Sequence, residues 1–259
     1  MRAKRPRSRA SPSGERIAKR IARAGLCSRR DAERLIAAGR VALGGTVVSD
    51  PAINVDDASP ITVDGAPLPA PAPARLWRYH KPPGLITSHR DPQGRPTVFE
   101  KVADRLGHVL SVGRLDFNSE GLLLLTNDGA LARTLEHPAK GWRRRYRVRV
   151  RGEPGQDALE ALARGITAGG VRYRPIEAQL DRQNRRNAWL TLTLTEGRYR
   201  EIRTVLGHLD LPVSRLIRTA YGPFQLGGLP RGEIAEIPAR VLRDQLGGKR
   251  RGPGADRRR

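Results

Sequence analysis

The sequence predicts an α+β protein with two folded parts, and three observations carry that prediction. Near the start, residues 15–65 read as two short helices followed by a β-hairpin. Residues 66–74, APLPAPAPA, then place a proline at every second position, which favours an extended spacer of roughly 28 Å. From residue 75 to about residue 240, short apolar strands alternate with helices and Gly/Pro turns, as in a larger domain that combines sheet and helix.

Composition narrows the class of partner. The 259 residues carry a formal charge of +23, and because residues 1–14 and 248–259 hold +5 each, +13 remains on the body of the chain. A folded body this basic predicts a polyanionic partner. Nucleic acid is favoured over a membrane surface, because no segment joins a long basic face to an aromatic-rich apolar one.

Cysteine usage and hydropathy indicate the compartment. The single Cys27 excludes an internal disulfide and predicts a reducing environment. The apolar run Leu122 to Leu125 is far shorter than the ~20 residues of a membrane-spanning helix. The basic residues 1–14 lack the apolar core of a secretory signal, so we expect a disordered arm and a cytoplasmic protein, with an organellar transit peptide as the alternative.

The first folded part has clear start and stop signals. Ser28 is placed to cap the second helix, and Gly39 is placed to end it. Gly44 and Gly45 suit a two-residue hairpin turn. Basic residues crowd the two helices and are candidates for contacts with a polyanion: Lys19, Arg20, Arg29, Arg30 and Arg34. Charge alone supports a merely solvated helix face equally well.

The second part, residues 75–240, opens with a strand that breaks at Pro82, because proline cannot donate a hydrogen bond to a sheet. Basic groups follow in a loop, and Lys81 and Arg95 are candidate phosphate ligands there, with a solvated loop as the alternative. The histidines show no spacing typical of metal ligands, so no metal site is predicted.

The stretch GRLDFNSEGLLLLTNDG, residues 113–129, places Arg114, a further candidate RNA contact, and Asp116 just before the four leucines. A continuous apolar run of this kind is typical of a strand that is buried on both faces. Asp116 therefore falls on a loop at the edge of a rigid strand, where reactive groups are often held, although most single loop aspartates are structural.

Two later motifs supply further candidates. In RRRYRVRVRG, Tyr146 alternates in phase with two valines and points toward the core, either as a packing residue or as a ring that stacks on a base. In EGRYREIR, Arg203 lies beside the buried stripe of a helix, where it either extends to water or pairs with a carboxylate. We expect that carboxylate to be Asp116.

Taken in order, these motifs carry a resemblance to known families. The segment LCSRRDAERLIAAGRVALGGTVV resembles the S-four RNA-binding domain. The motifs HKPPGLITS, GRLD, RRYRVRV, REIR and SRLIRTAYG resemble the RsuA/RluB-type pseudouridine synthases of ribosomal RNA, and within them the RluB group that acts on the large subunit. The resemblance implies a mixed, mostly antiparallel sheet with flanking helices and a catalytic cleft across its middle.

The resemblance also implies roles for single residues. Asp116 matches the family's nucleophilic aspartate, Tyr146 its stacking tyrosine and Arg203 its ion-pairing arginine. Asp116 then acts as a nucleophile or as the base that generates a glycal-like intermediate. Two positions depart from the expected pattern, Ser119 in place of threonine and Arg145 in place of lysine or glutamate. No cofactor is implied, because the reaction changes no oxidation state.

The resemblance implies ribosomal RNA or an assembling ribosomal subunit as partner, bound by a monomeric chain with a basic tail at residues 241–259. Three alternatives remain. The chain is a non-catalytic RNA-binding assembly factor, it is a synthase for small-subunit RNA, or it is a nuclease or methyltransferase. The sequence argues against the last, since it lacks a clustered carboxylate site and a Gly-rich nucleotide loop.

Overall fold

The structure is a computed structural model that describes residues 14–247. Most of the expected basic arm and tail therefore lies outside the described residues. The described chain forms two compact units. The first contains the residues up to Ala74, with Leu106–His108 and Asn127–Gly129, and the second contains the remainder.

The first unit joins two helices to small sheets. Its elements are β1 (Glu15–Arg16), α1 (Ile17–Arg23), α2 (Arg29–Ala37), β2 (Val41–Leu43), β3 (Thr46–Val47), β4 (Asn54–Val55), β5 (Ile61–Val63) and β6 (Ala66–Pro67). The hairpin prediction is confirmed, because Gly44 and Gly45 connect β2 to β3 with φ values of +57° and +80°. The Ser28 cap is also confirmed, since its hydroxyl accepts a hydrogen bond from the Asp31 N–H at 3.2 Å.

The first unit extends further than its sequence predicts. Strand β6 pairs antiparallel with β5, which completes the four-strand order β3-β2-β5-β6. Leu68 packs against the core that Ile17, Ile21 and Ile36 form between the helices. A spacer beginning at residue 66 is therefore wrong for the first residues of APLPAPAPA, because β6 hydrogen-bonds to the sheet and Leu68 buries apolar surface.

The second unit is built on one large sheet. Its strands are β7 (Leu76–Lys81), β8 (Leu110–Val112), β9 (Glu120–Thr126), β10 (Arg144–Arg151), β11 (Thr167–Ala168), β12 (Val171–Arg172), β13 (Glu177–Asn184), β14 (Asn187–Leu194), β15 (Val213–Tyr221), β16 (Phe224–Gln225) and β17 (Ile234–Glu236). Its helices are α3 (Val98–Leu106), α4 (Gly129–Glu136), α5 (Gln156–Arg164), α6 (Glu201–His208) and α7 (Ala239–Gly247), with a 3₁₀ turn at Pro138–Lys140.

The large sheet is mixed and mostly antiparallel, as predicted. Its main order is β13-β14-β10-β15-β9-β7-β17, with β16 beside β15 and β8 beside β9. The β15–β9 pair is parallel and short, with Ile217 opposite Glu120 and Arg218 opposite Gly121. Gly121 has φ +103°, and an added Cβ would lie 2.3 Å from the Arg218 carbonyl oxygen, so only glycine fits this junction.

Two hydrophobic cores support the sheet. The first core joins β10, β14 and β15 to α5 and α6, through residues such as Val148, Leu190 and Val205. The second core joins β7 and β9 to α4 and α7, through residues such as Leu124 and Leu135. Leucines 122 to 125 of β9 are fully buried, which confirms the strand that the apolar run predicts.

The folded chain continues beyond the predicted boundary at residue 240. Helix α7 spans Ala239–Gly247, Leu242 is buried, and Leu246 packs against the second core. A tail from residue 241 is therefore wrong for residues 241–247, because the two leucines, four positions apart, share a helix face that buries apolar surface. In residues 14–247, no helix has the length and apolar character that crossing a membrane requires.

Candidate active site

The loop that carries Asp116, residues 113–119, connects β8 to β9 and is held at nearly every carbonyl. Gly113 begins it with φ +67°, and the Gly113 N–H donates to Glu136 Oε1 at 2.6 Å. The Thr87 hydroxyl donates to the Leu115 carbonyl at 2.9 Å, and the Gly84 N–H donates to the Phe117 carbonyl at 2.8 Å. The loop is therefore fixed by its backbone, which leaves the Asp116 side chain free for chemistry.

Lys81 supplies the centre of this support. Its Nζ atom is within hydrogen-bond range of the carbonyl oxygens of Ser119 (2.8 Å), Pro82 (3.0 Å), Asp116 (3.2 Å) and Phe117 (3.4 Å). Burial lowers the pKa of Lys81 to about 8, against the opposing effect of nearby carboxylates. The side chain is fully buried. The prediction that Lys81 contacts RNA is therefore wrong, because its ammonium is enclosed under the loop.

Two arginines complete the support, and Arg203 is one of them. Its guanidinium donates to the carbonyls of Asn118 and Val213, both at 3.2 Å. The prediction of a direct ion pair between Arg203 and Asp116 is wrong, because the Arg203 guanidinium donates its hydrogen bonds to these carbonyls instead. Arg218 likewise donates to the carbonyls of Leu122 at 2.7 Å and Arg114 at 3.4 Å.

Arg200 is the cation that faces the Asp116 carboxylate. Its Nη1 atom lies 3.8 Å from Asp116 Oδ2, and both side chains are partly exposed. Arg200 has φ +49°, a left-handed conformation that is uncommon for a residue other than glycine. Its backbone turns the chain into α6, so the strained residue aims a guanidinium at the cavity.

A cavity of about 280 Å³ brings the three predicted catalytic residues together. Asp116, Tyr146 and Arg203 all line it. Tyr146 is half-buried against the first core, which agrees with its predicted inward direction. Other charged groups line the same cavity: Arg114, Glu136, Arg144, Glu196, Arg198, Arg200, Glu201 and Arg218. The arginines outnumber the carboxylates, so the cavity suits a substrate that carries phosphate.

Glu201 and Glu196 form a carboxyl pair at the edge of the cavity. Glu201 Oε2 accepts from the Arg198 N–H at 2.9 Å, and its carboxyl group is hydrogen-bonded to that of Glu196. Burial, with the neighbouring Glu196 charge, raises the pKa of Glu201 to about 7. Glu196 has a lowered pKa, because hydrogen bonds from Arg174 and Arg198 stabilise its charged form against burial. Below about pH 7, Glu201 is therefore the member of the pair that holds the shared proton.

A second cavity, of about 640 Å³, also has Asp116 in its lining. It contains Arg114 and Arg95, two of the predicted RNA contacts, and the exposed aromatic Tyr199. Arg95 is already paired with Asp91, through bonds of 2.9 Å and 2.8 Å. Both arginines are exposed, so the structure leaves their predicted contact with RNA untested.

The basic residues of the first unit divide into two groups. Arg20 is 6% exposed and lies 3.4 Å from Asp57, so its predicted place on an open basic face is wrong. Burial against the small core accounts for this, because Arg20 lies three positions after the fully buried Ile17 and shares its helix face. The others keep solvent contact, three of them paired with carboxylates, and remain predicted RNA contacts: Lys19, Arg29, Arg30 and Arg34.

The supporting roles of Lys81, Arg218 and Glu201, which the motifs did not predict, carry a weak signal in the sequence. Lys81 alternates in phase with Trp77 and Tyr79 along β7, which places it on an inward face. Arg218 alternates in phase with Leu216 in the same way. Glu201 lies four residues before Val205 and so shares the buried side of α6. The described residues contain no cluster of His, Cys, Asp and Glu that would hold a metal ion.

Comparisons with known proteins match each of the two units to a protein family. A family model described as RNA pseudouridylate synthase matches residues 75–208, and the S4 domain model matches residues 15–59. An uncharacterized RNA pseudouridine synthase of Rickettsia prowazekii is 45% identical over 89% of this chain and 97% of its own length. The ribosomal large subunit pseudouridine synthase B of Yersinia pestis is 40% identical over 86% of this chain and 73% of its own length.

A solved structure agrees with the sequence relatives. The crystal structure of a pseudouridylate synthase covers 88% of this chain and 97% of its own, with a TM-score of 0.61 at 26% sequence identity. The similarity thus extends over most of both chains.

Proposed function

The chain belongs to the family of RNA pseudouridylate synthases, and from that premise we propose that it converts a specific uridine of large-subunit ribosomal RNA to pseudouridine. The choice of subunit is supported by relatives named ribosomal large subunit pseudouridine synthase B, which are 39% to 40% identical to this chain. The choice of RNA is supported by the S4 domain and by the charge of +23.

The observation that carries the proposal is the position of Asp116. Its carboxylate lines the 280 Å³ cavity together with Tyr146 and Arg203, on a loop whose carbonyls are held by the buried Lys81 and the half-buried Arg203. A carboxylate on such a support is pre-organised, since the loop need not move when charge develops. Asp116 is therefore the group that reacts with the uridine.

The reaction rearranges bonds within one nucleotide. The N1–C1′ glycosidic bond breaks, the base turns, and a new bond joins C5 to C1′. The proton on C5 leaves, and N1 gains a proton, so atoms and electrons balance without a co-reactant. Asp116 acts either as the nucleophile that holds C1′ during the turn or as the base that generates a glycal, and then helps to remove the C5 proton. The proposed reaction needs no cofactor.

The neighbouring residues have separate roles in this scheme. The ring of Tyr146 stacks on the uracil and offsets the few kcal/mol that removing a base from its stack requires. Arg200 places a positive charge 3.8 Å from the Asp116 carboxylate. Arg203 acts through the backbone, because it holds the Asn118 carbonyl two residues beyond Asp116.

The test is pseudouridine mapping on ribosomal RNA. RNA from cells that lack this chain is incubated with the purified chain, with Asp116→Asn, or with Asp104→Asn, which removes an exposed carboxylate from α3. We expect one new pseudouridine in large-subunit RNA with the unaltered chain and with Asp104→Asn, and none with Asp116→Asn.

The Asp116→Asn chain should bind the RNA within a few fold of the unaltered chain, since the substitution changes one side chain of the cavity. Full activity of Asp116→Asn would refute the assignment of the reacting group. Modification of small-subunit RNA would reassign the target and leave the chemistry in place.

A further inference from the structure

The large sheet has an exposed basic face on the side opposite the catalytic cavity. Side chains alternate along β10, so Tyr146 and Val148 face the cavity and the first core. The arginines at the alternate positions of β10, from Arg145 to Arg151, point to the other side. We call this surface the outer face and define it by Arg145, Arg147, Arg149 and Arg151 of β10, Arg182 of β13 and Trp189 of β14.

The charges of the outer face are largely uncompensated. Its acidic neighbour Asp181 lies 3.8 Å from Arg147, and Glu120 is bound to Arg215 at 2.5 Å. In residues 14–247, no ion pair joins a carboxylate to the remaining arginines of the face, which are Arg145, Arg149, Arg151 and Arg182. Arginines at alternate positions of a strand lie about 7 Å apart and repel one another, so a bound polyanion lowers their energy.

An indole lies among these charges. Trp189 is half-buried, opposite Arg149 on one side and Arg182 on the other. The guanidinium of Arg147 stands 4.8 Å from the centre of its ring, and that of Arg215 stands 5.9 Å away. Stacked guanidinium and indole groups of this kind present flat surfaces on which a nucleobase stacks.

A pocket of about 200 Å³ adjoins the indole. Its lining is Arg149, Arg182, Gln183, Asn184, Asn187 and Trp189. The volume is below the ~300 Å³ of a site for a drug-sized ligand. Amide side chains pair with base edges, and arginines pair with phosphates. The pocket thus combines the three kinds of group that bind an unpaired nucleotide.

We propose that the outer face is a second RNA-binding surface, which holds a single-stranded segment with one base against Trp189 and its phosphates along the β10 arginines. A duplex would satisfy the charges but would leave the indole unused, because paired bases do not offer their faces for stacking. None of the residues that define the outer face lines either cavity that contains Asp116, so this RNA-binding surface is separate from the proposed catalytic site and goes beyond the proposed function.

The experiment measures binding of a fluorescently labelled oligoadenylate of about ten nucleotides by anisotropy at several salt concentrations. This probe contains no uridine, so the result does not depend on catalysis. The full chain is compared with Trp189→Ala, Trp189→Phe and a double variant, Arg149→Gln with Arg151→Gln. Arg164→Gln is the matched control, because it removes an exposed charge from α5, which packs on the other side of the sheet.

We expect about tenfold weaker binding with Trp189→Ala, and near-normal binding with Trp189→Phe, because phenylalanine keeps a stacking ring. The double variant should flatten the slope of log K against log salt by about 1.4, since each phosphate contact with a single strand contributes about 0.7. Arg164→Gln should leave the slope unchanged. The two arginines are exposed, so the double variant remains informative if Trp189→Ala fails to fold.

Three results would overturn the proposal. One is an unchanged affinity and slope in the outer-face variants. Another is a change no larger than that of Arg164→Gln, which would indicate a general effect of charge. The third is equally strong competition by an RNA duplex or by polyglutamate, which would show a surface for anions or acidic proteins rather than for unpaired bases.

Discussion

The substitution Glu201→Gln should make the chain more stable than the unaltered chain at alkaline pH. In the folded chain the pKa of Glu201 is raised from 4.5 to about 7, by burial and by the charge of Glu196. Between these two pH values the folded chain keeps a proton that the unfolded chain has released, so the free energy of unfolding falls as pH rises. Above pH 7, where Glu201 is ionised in the folded chain as well, the free energy of unfolding is lower by about 3 kcal/mol than it is at acidic pH.

The Glu201→Gln side chain imitates the protonated carboxyl group. Its amide oxygen can accept the Arg198 N–H that Glu201 accepts at 2.9 Å, and its NH₂ group can donate to Glu196. The variant should therefore match the unaltered chain near pH 4.5 and exceed it by about 3 kcal/mol near pH 8.5.

Urea denaturation, followed by circular dichroism at a series of pH values, measures this difference. Glu160→Gln is the matched control, because Glu160 is an exposed carboxylate of α5. The free energies of unfolding of Glu160→Gln and of the unaltered chain should change in parallel with pH. Parallel profiles for Glu201→Gln as well, or lower stability of that variant at every pH, would refute the assignment of the shared proton to Glu201.

Three further predictions concern the support of the 113–119 loop and the junction of β15 with β9. Lys81→Met should lower kcat about a hundredfold with a normal circular dichroism spectrum, because a loop displaced by ~1 Å loses that much rate; an unchanged kcat would exclude the positioning role. Arg203→Gln should lower kcat far more than Arg200→Gln, whose partly exposed pair is worth at most ~1 kcal/mol, and the reverse order in single-turnover assays would contradict this. Gly121→Ala should reduce the free energy of unfolding by about 3 kcal/mol, while Gly228→Ala, which meets no atom within 4 Å, should be nearly neutral in denaturation.

The spacing of apolar residues along the sequence predicted most of the strands and helices correctly. The four leucines of β9 are buried, and Ile202, Val205 and Leu206 form the buried stripe of α6. These predictions depend on local geometry, since side chains repeat every two residues in a strand and every 3.6 residues in a helix. The boundary at residue 66 failed because the proline-rich pattern conceals a strand that pairs with the neighbouring β5, and because Leu68 packs on a core formed by distant residues. The boundary at residue 241 failed because α7 is fixed by partners far away in the sequence.

The sequence by itself determined the two-part organisation, the basic character, the main strands and the three motifs that contain Asp116, Tyr146 and Arg203. Local pattern and composition carry that information. Only the tertiary structure decided that Lys81 is buried, that Arg200 faces Asp116, and that Arg203 holds a backbone carbonyl. A charged side chain costs free energy to bury, so its direction depends on carbonyls and carboxylates that the fold brings near it, and these come from distant segments of the chain.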